Sequence, residues 1–234
     1  MEYITALICT AIAFCAAVLS CVAANTRLSE SYRTADNVNI ITGFEKMRTG
    51  LSKITIKQWI VSAAFTLLTG FACYRAQVFG ADQIQAIKAV VCCELVMSAA
   101  IIDLFTRKIP NRLNLALYIA GILLLAAELI FNRESFTTRL IASLIGLGVG
   151  FGFLYIMSLV TKGGMGMGDV KLIGGVGLSF GIAAVFYSFT YSMVVCLLAA
   201  VVMLISGRKK MKDKVPFCPF FYLGLIISVS IGTF

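Results

Sequence analysis

The chain has 234 residues, of which 60% are hydrophobic and only 13% charged, with three prolines and a formal net charge of +9. An ordinary soluble domain is about 45–50% apolar and about 25% charged, so a compact soluble domain of usual make-up is excluded. There is no histidine, which removes His-based catalytic triads and His-ligated metals from consideration.

The apolar residues fall in runs of roughly 17–25, the length that crosses a hydrocarbon core. The expected fold is therefore all-α: a polytopic membrane protein of about eight transmembrane helices with short loops. Span 1 covers about Ile4 to Ala24. No basic region precedes it and no clear cleavage site follows, so it reads as a retained span. The polar segment 25–57 comes next and is the longest hydrophilic stretch. It carries Arg27, Arg33, Lys46, Arg48, Lys53 and Lys57 with Glu30, Asp36 and Glu45.

Span 2 is about Gln58 to Tyr74, and span 3 is about Ile84 to Ile102, closed by Asp103. In the polar turn that follows, Pro110 lacks an N–H and biases Ile109 away from helix, so a helix should end there. Span 4 runs from about Leu113 to Phe131, with Glu128 expected at the interface. A short loop, 132–138, leads to span 5, about Leu140 to Val160. Gly146, Gly148, Gly150 and Gly152 give it two overlapping G-x-x-x-G spacings, which suit close helix packing. Span 6 is short, about Val170 to Ser179. Span 7 is about Ile182 to Ile205, the basic run 208–214 follows, and span 8 begins at Pro216.

Eight spans sort the basic residues. Sixteen of the twenty Lys and Arg residues follow odd-numbered spans; Arg75, Lys88, Arg133 and Arg139 lie on the other side. The positive-inside rule then places both termini outside the cytoplasm. The charge is explained by topology and the lipid bilayer, with no nucleic-acid partner expected. The eight cysteines form no C-x-x-C pair, so neither a zinc site nor a disulfide framework is expected.

Two carboxylates stand out. Asp103 ends one span within Ile101-Ile-Asp-Leu-Phe-Thr-Arg-Lys-Ile-Pro-Asn111. Asp169 opens another within Gly163-Gly-Met-Gly-Met-Gly-Asp-Val-Lys-Leu172. In the eight-span topology both lie at the cytoplasmic boundary. Charges there are costly unless they face water, a partner or a functional cavity. Gly163, Gly164, Gly166 and Gly168 clear side chains from four of six successive positions, which lets another backbone approach. Two carboxylates sharing one proton can activate a water and polarise a carbonyl, the chemistry of an aspartyl protease. Helix-end electrostatics favour Asp169 as the anion and Asp103 as the proton carrier.

Lys171 fits either a topology charge or a contact to the dyad or substrate. Asn111 fits either a cap of the turn after Pro110 or a holder of a substrate carbonyl. Glu94 lies nine residues before Asp103, about 13 Å along a helix axis, too far to join the pair. It reads as a hydrogen-bonded buried polar group or a proton-linked one.

The stretch Asp103 to Asn111, with its Ile-Pro-Asn ending, and the stretch Gly166-Met-Gly168-Asp169-Val-Lys171-Leu together resemble the prepilin peptidases, the type IV leader peptidase family of Gly-x-Gly-Asp intramembrane aspartyl proteases. The resemblance covers roughly residues 84–234 and includes Val215-Pro-Phe-Cys-Pro-Phe220. It implies cleavage of a short basic leader from prepilin or pseudopilin precursors on the cytoplasmic side. It also implies Asp103 and Asp169 as catalytic residues, supported by Gly166, Gly168, Lys171, Pro110 and Asn111, with no cofactor for proteolysis. Many members carry zinc-binding cysteine pairs in their first cytoplasmic loop and methylate the new N-terminus with S-adenosylmethionine. Here the segment 25–57 has no cysteine and nothing that reads as a methyl-donor site. Residues 1–83 are accordingly taken as a divergent N-terminal membrane region and 84–234 as the peptidase membrane core. The rival readings are a bifunctional leader peptidase and N-methyltransferase, and a non-enzymatic transporter or scaffold. A transporter would show interrupted helices repeated in both halves, and only one glycine-broken segment is present.

Overall fold

The computed structural model describes residues 56–78, 83–160, 166–206 and 216–233. Expectations for span 1, for residues 25–55 of the polar segment, for Gly163 and Gly164 and for the basic run 208–214 lie outside the described residues, and the last two residues of that segment begin α1. What is described is helical: α1 Ile56–Val78, α2 Gln83–Thr106, α3 Asn111–Phe131, α4 Arg133–Val160, α5 Met167–Phe180, α6 Ile182–Ile205 and α7 Cys218–Ile231. Five of them (α1, α2, α3, α4 and α6) are long and apolar enough to cross a membrane. The all-α, multi-pass expectation is borne out, and the seven described helices match spans 2 to 8 in order.

Two boundaries differ from the sequence reading. The loop 132–138 shrinks to Asn132 alone, because α4 starts at Arg133. Its first two turns are polar but contain no glycine or proline, so nothing breaks the helix; polarity alone does not make a loop. The other difference is that α2 continues past Asp103 to Thr106. Arg107 ends it in the left-handed region at φ 52°, with its N–H donating to the Asp103 carbonyl at 2.8 Å. A residue just past a helix end commonly adopts this conformation, though usually as glycine.

The helices alternate in direction, so the C-terminus of α2 and the N-termini of α3, α5 and α7 share one end of the bundle. The core there includes Met97, Ala100, Ile101, Val170, Ile173, Phe221 and Tyr222. α5 is the central element. It has 14 residues, Val170 to Ser179 are almost all buried, and it packs on α2, α3, α4 and α6. At 1.5 Å per residue it is about 21 Å long, less than a bilayer's apolar thickness. A short helix is admissible at membrane depth when protein covers its ends.

Glycines permit this packing. A Cβ on Gly177 would fall on the Gly146 carbonyl of α4, and one on Gly175 would strike Leu117 of α3. Gly181 alone joins α5 to α6, at φ 87°, a conformation that favours glycine. On the other side of the bundle α7 packs on α1, α2 and α6. Tyr222 fixes α1: its hydroxyl donates to the Phe65 carbonyl at 2.7 Å and pairs with Thr69 Oγ1 at 2.6 Å, while its ring stacks on Phe65.

Glu128, near a span end, faces the bundle. It is fully buried. Lys88 of α2 reaches Oε2 at 2.9 Å and Arg139 of α4 reaches Oε1 at 3.0 Å. Two cations from neighbouring helices replace the water that a lone carboxylate would need.

Candidate active site

The local sequence carries each aspartate to the same end of the bundle. Asp103 sits in the last turn of α2 and is buried. Thr106 Oγ1 donates back to the Ile102 carbonyl at 2.8 Å, which closes the turn. Asp169 lies in the first turn of α5, where its N–H donates to the Gly166 carbonyl at 3.0 Å. The two carboxylates are close enough for the charge of Asp103 to act on Asp169.

The start of α7 completes the surround. The Cys218 amide donates to Asp103, and the buried Cys218 side chain lies within electrostatic reach of both aspartates. Burial raises the Asp103 carboxyl, and the Cys218 amide at the positive end of α7, with the Arg107 charge, only partly offsets that rise. The sequence reading gave Val215 to Phe220 only a likeness in pattern. Its role against Asp103 depends on a contact across more than 100 residues, which no local pattern reveals.

Each predicted supporting residue has a definite place. Gly166 is the N-cap of α5, and a Cβ there would stand 3.0 Å from Asp169 Oδ2. Gly168 faces Ile109, whose Cβ would be 3.0 Å from any side chain at that position. Pro110 is buried and holds the N-cap position of α3, with its carbonyl accepting from Leu113 and Asn114. Asn111 is therefore the first residue of α3 rather than its cap. Its Oδ1 accepts from Lys171 Nζ at 3.5 Å. Lys171 thus reaches Asn111, on the rim beside the pair. Glu94 is buried far along α2, within electrostatic range of Tyr222.

Two supporting residues escaped the sequence reading. Asn114 Nδ2 donates to the Gly168 carbonyl at 3.1 Å, and Tyr118 donates to the Lys171 carbonyl at 3.0 Å. Both come from one face of α3, one turn apart, and they hold the first turns of α5 on either side of Asp169. A buried Asn and a Tyr four residues apart within an apolar run were the available signal.

Asp169 stands ahead of the apolar run that begins at Val170. Burial first, and then the Asp103 charge, push its carboxyl up to about 7. Its Oδ1 is buried with no hydrogen-bond partner among the described residues. Burial raises both carboxyls, and the charge of Asp103 adds to the rise at Asp169, so the two share a proton as a pair. One oxygen without a protein donor, next to a second carboxylate, is where a shared proton can sit.

A helical bundle with five helices long and apolar enough to cross a membrane, and two carboxylates within electrostatic reach of each other at one end, defines a multi-pass membrane protein with neighbouring aspartates. Residues 89–203 match the type IV leader peptidase family. That segment contains both Asp103 and Asp169, and by this match it belongs to the family. The chain is also 31% identical over 144 residues to a protein of Bacillus subtilis (strain 168) named prepilin leader peptidase/N-methyltransferase, covering 62% of this chain and 55% of that protein. The chain thus spans about half the length of the curated relative it matches. No solved structure matches it significantly.

Proposed function

We propose that this protein is a membrane aspartyl endopeptidase that removes the leader from type IV prepilin-like precursors at the cytoplasmic membrane face. The observation that carries this reading is the meeting of Asp103 and Asp169, from helices 66 positions apart in sequence, inside the segment that matches the family. The protonated member donates a hydrogen bond to the scissile carbonyl oxygen. The ionised member takes a proton from water as its oxygen attacks the carbonyl carbon. The resulting gem-diol collapses as the amide C–N bond breaks. The nitrogen leaves as an amine with a proton returned through the dyad, and the pair again holds one proton.

Gly166 and Gly168 leave room beside Asp169 for an extended backbone. Lys171, Pro110 and Asn111 form the rim on which that backbone would rest. The proposed orientation puts this rim in the cytoplasm of a bacterial cell and both termini outside. Residues 84–234 are proposed as the peptidase core and 1–83 as a region of separate history.

A second activity, N-methylation of the new N-terminus with S-adenosylmethionine, is suggested by the name of the Bacillus relative. Product mass decides it. Membranes containing the protein are mixed with a pilin-type precursor, and products are followed by mass spectrometry. Wild type is expected to release the leader, while Asp103→Asn and Asp169→Asn each lose at least about 1000-fold in rate, the scale seen when an essential catalytic group is removed. Equal cleavage by all three would remove the dyad from the mechanism, and no cleavage by any of them would favour a scaffold or transporter. A mature product heavier by one methyl group would establish the second activity.

A further inference from the structure

The two oxygens of Asp169 have different surroundings. Oδ2 lies on the side of Gly166, where an added Cβ would stand 3.0 Å from it, and Gly166 is exposed. Oδ1 is buried and has no hydrogen-bond partner among the described residues. A second oxygen at this end of the bundle is in the same condition: Asn114 Oδ1, on a residue only 2% exposed.

Chemistry fixes which way the Asn114 amide faces. The Gly168 carbonyl can only accept, so the atom 3.1 Å from it is Nδ2 and the amide oxygen takes the other corner. Both atoms are bonded to one carbon, so Oδ1 also stands beside the peptide that joins Gly168 to Asp169. The turn 107–110 joins α2 to α3, so the first turn of α3, which carries Asn114, flanks the last turn of α2, which carries Asp103. Asn114 is thus placed between the two aspartate-bearing turns.

An amide oxygen and a carboxylate oxygen accept hydrogen bonds and donate none. Shut away from water, each costs free energy until a donor arrives. One proton answers for both: a protonated Asp169 carboxyl has an O–H to give, and the amide oxygen beside it has room to accept. We infer that Asn114 Oδ1 accepts the hydrogen bond of the shared proton whenever that proton is on Asp169, which makes Asn114 a positioning residue for the proton of the pair. The inference deepens the peptidase reading, because this acceptor sets the pH range over which the one-proton state persists.

The titratable groups around Asp169 have other partners. Asp103 of α2 is the other member of the pair and feels the Arg107 charge, while Cys218 of α7 gives Asp103 its amide. Lys171 of α5 reaches Asn111, and Tyr118 of α3 donates to the Lys171 carbonyl. α6 contains no Lys, Arg, Asp or Glu, and those of α4, Arg133, Glu134 and Arg139, stand toward its start, at the far end of the bundle.

The test compares wild type with Asn114→Leu, Asn114→Asp and Tyr118→Phe in the full-length chain. Melting temperature is followed in detergent from about pH 4 to about pH 9. Cleavage of a pilin-type precursor is followed over the same range in membranes. In Asn114→Leu the midpoint of the pH-dependent fall in melting temperature should move down by about one pH unit, the tenfold that a hydrogen bond of ordinary net strength represents. In Asn114→Asp it should move up, because a third carboxylate beside the pair opposes ionisation. Tyr118→Phe loosens α5 through the neighbouring bond but keeps the acceptor, so its midpoint should stay in place. The alkaline limb of cleavage should move with the midpoint, and Asn114→Leu should regain its rate below the new limb. A wild-type midpoint in Asn114→Leu, or an equal movement in Tyr118→Phe, overturns the assignment. If Asn114→Leu does not fold, a wild-type midpoint in Asn114→Asp overturns it. The expected midpoints without cleavage by wild type would sink the peptidase reading and leave the hydrogen bond standing.

Discussion

Asp169 ties stability to pH through its own burial. Its carboxyl is raised from 3.8 to about 7, so ionising it costs folding free energy. The stability of the protonated form is fully present below pH 4 and is lost as pH rises toward and through 7. In detergent, the wild-type melting temperature should fall over this window, and that of Asp169→Asn should stay flatter. An equal slope in the two proteins would place the titration elsewhere. Activity should fall on the alkaline side with an apparent pKa near 7 that belongs to the pair, because the one-proton state disappears there. Glu128 gives a second residue-scale test. With Lys88 only 4% exposed and dependent on that carboxylate, Glu128→Ala should destabilise by about 3–5 kcal/mol, as expected when one partner of a buried ion pair is removed. Glu128→Ala with Lys88→Met should recover part of the loss, measured as chemical or thermal unfolding.

At the scale of elements, the glycines of α4 show what sequence can and cannot say. The spacing offered two equivalent stripes, Gly146 with Gly150 and Gly148 with Gly152. Only the first is used: a Cβ at Gly146 would strike Gly181, and one at Gly150 would approach the Ile173 carbonyl, while Gly148 and Gly152 face open space. Gly148→Ala should therefore stabilise slightly, by up to about 1 kcal/mol from helix propensity. Gly146→Leu should abolish folding or activity. A neutral Gly146→Leu in a cleavage assay would show that α4 and α5 do not meet there. Helix identity and order were legible because hydropathy reports length and period directly. The meeting of Asp103 with Asp169 was legible from topology, since charge sorting put both at one membrane face. The contributions of Cys218, Asn114 and Tyr118 were not, because they arise from packing between distant segments. The ion pairs of Glu128 were hidden for the same reason: its partners sit on two other helices.

On the scale of the whole molecule, the proposed orientation assigns the turn 107–110 to the cytoplasm and Asn132 to the opposite side. A single cysteine introduced at Lys108 should react with a membrane-impermeant thiol reagent only in inside-out vesicles, and one at Asn132 only in right-side-out vesicles. The reverse pattern would invert the topology and put the aspartates on the wrong side for a cytoplasmic leader. The same whole-molecule view links the aspartate end to the far end. Tyr222 ties α1 to α7, and the Glu128 triad ties α2, α3 and α4, so the dyad is held by a frame of five helices rather than by its own turns.

The brevity of α5 has a further consequence. Asp169 and Gly181 are twelve residues apart, about 18 Å of helix. On the proposed peptidase reading, that interval fixes how deep Asp169 stands, so one extra turn inserted in α5 should carry Asp169 about 5 Å away from Asp103, and loss of precursor cleavage by a variant that still folds would read the displacement.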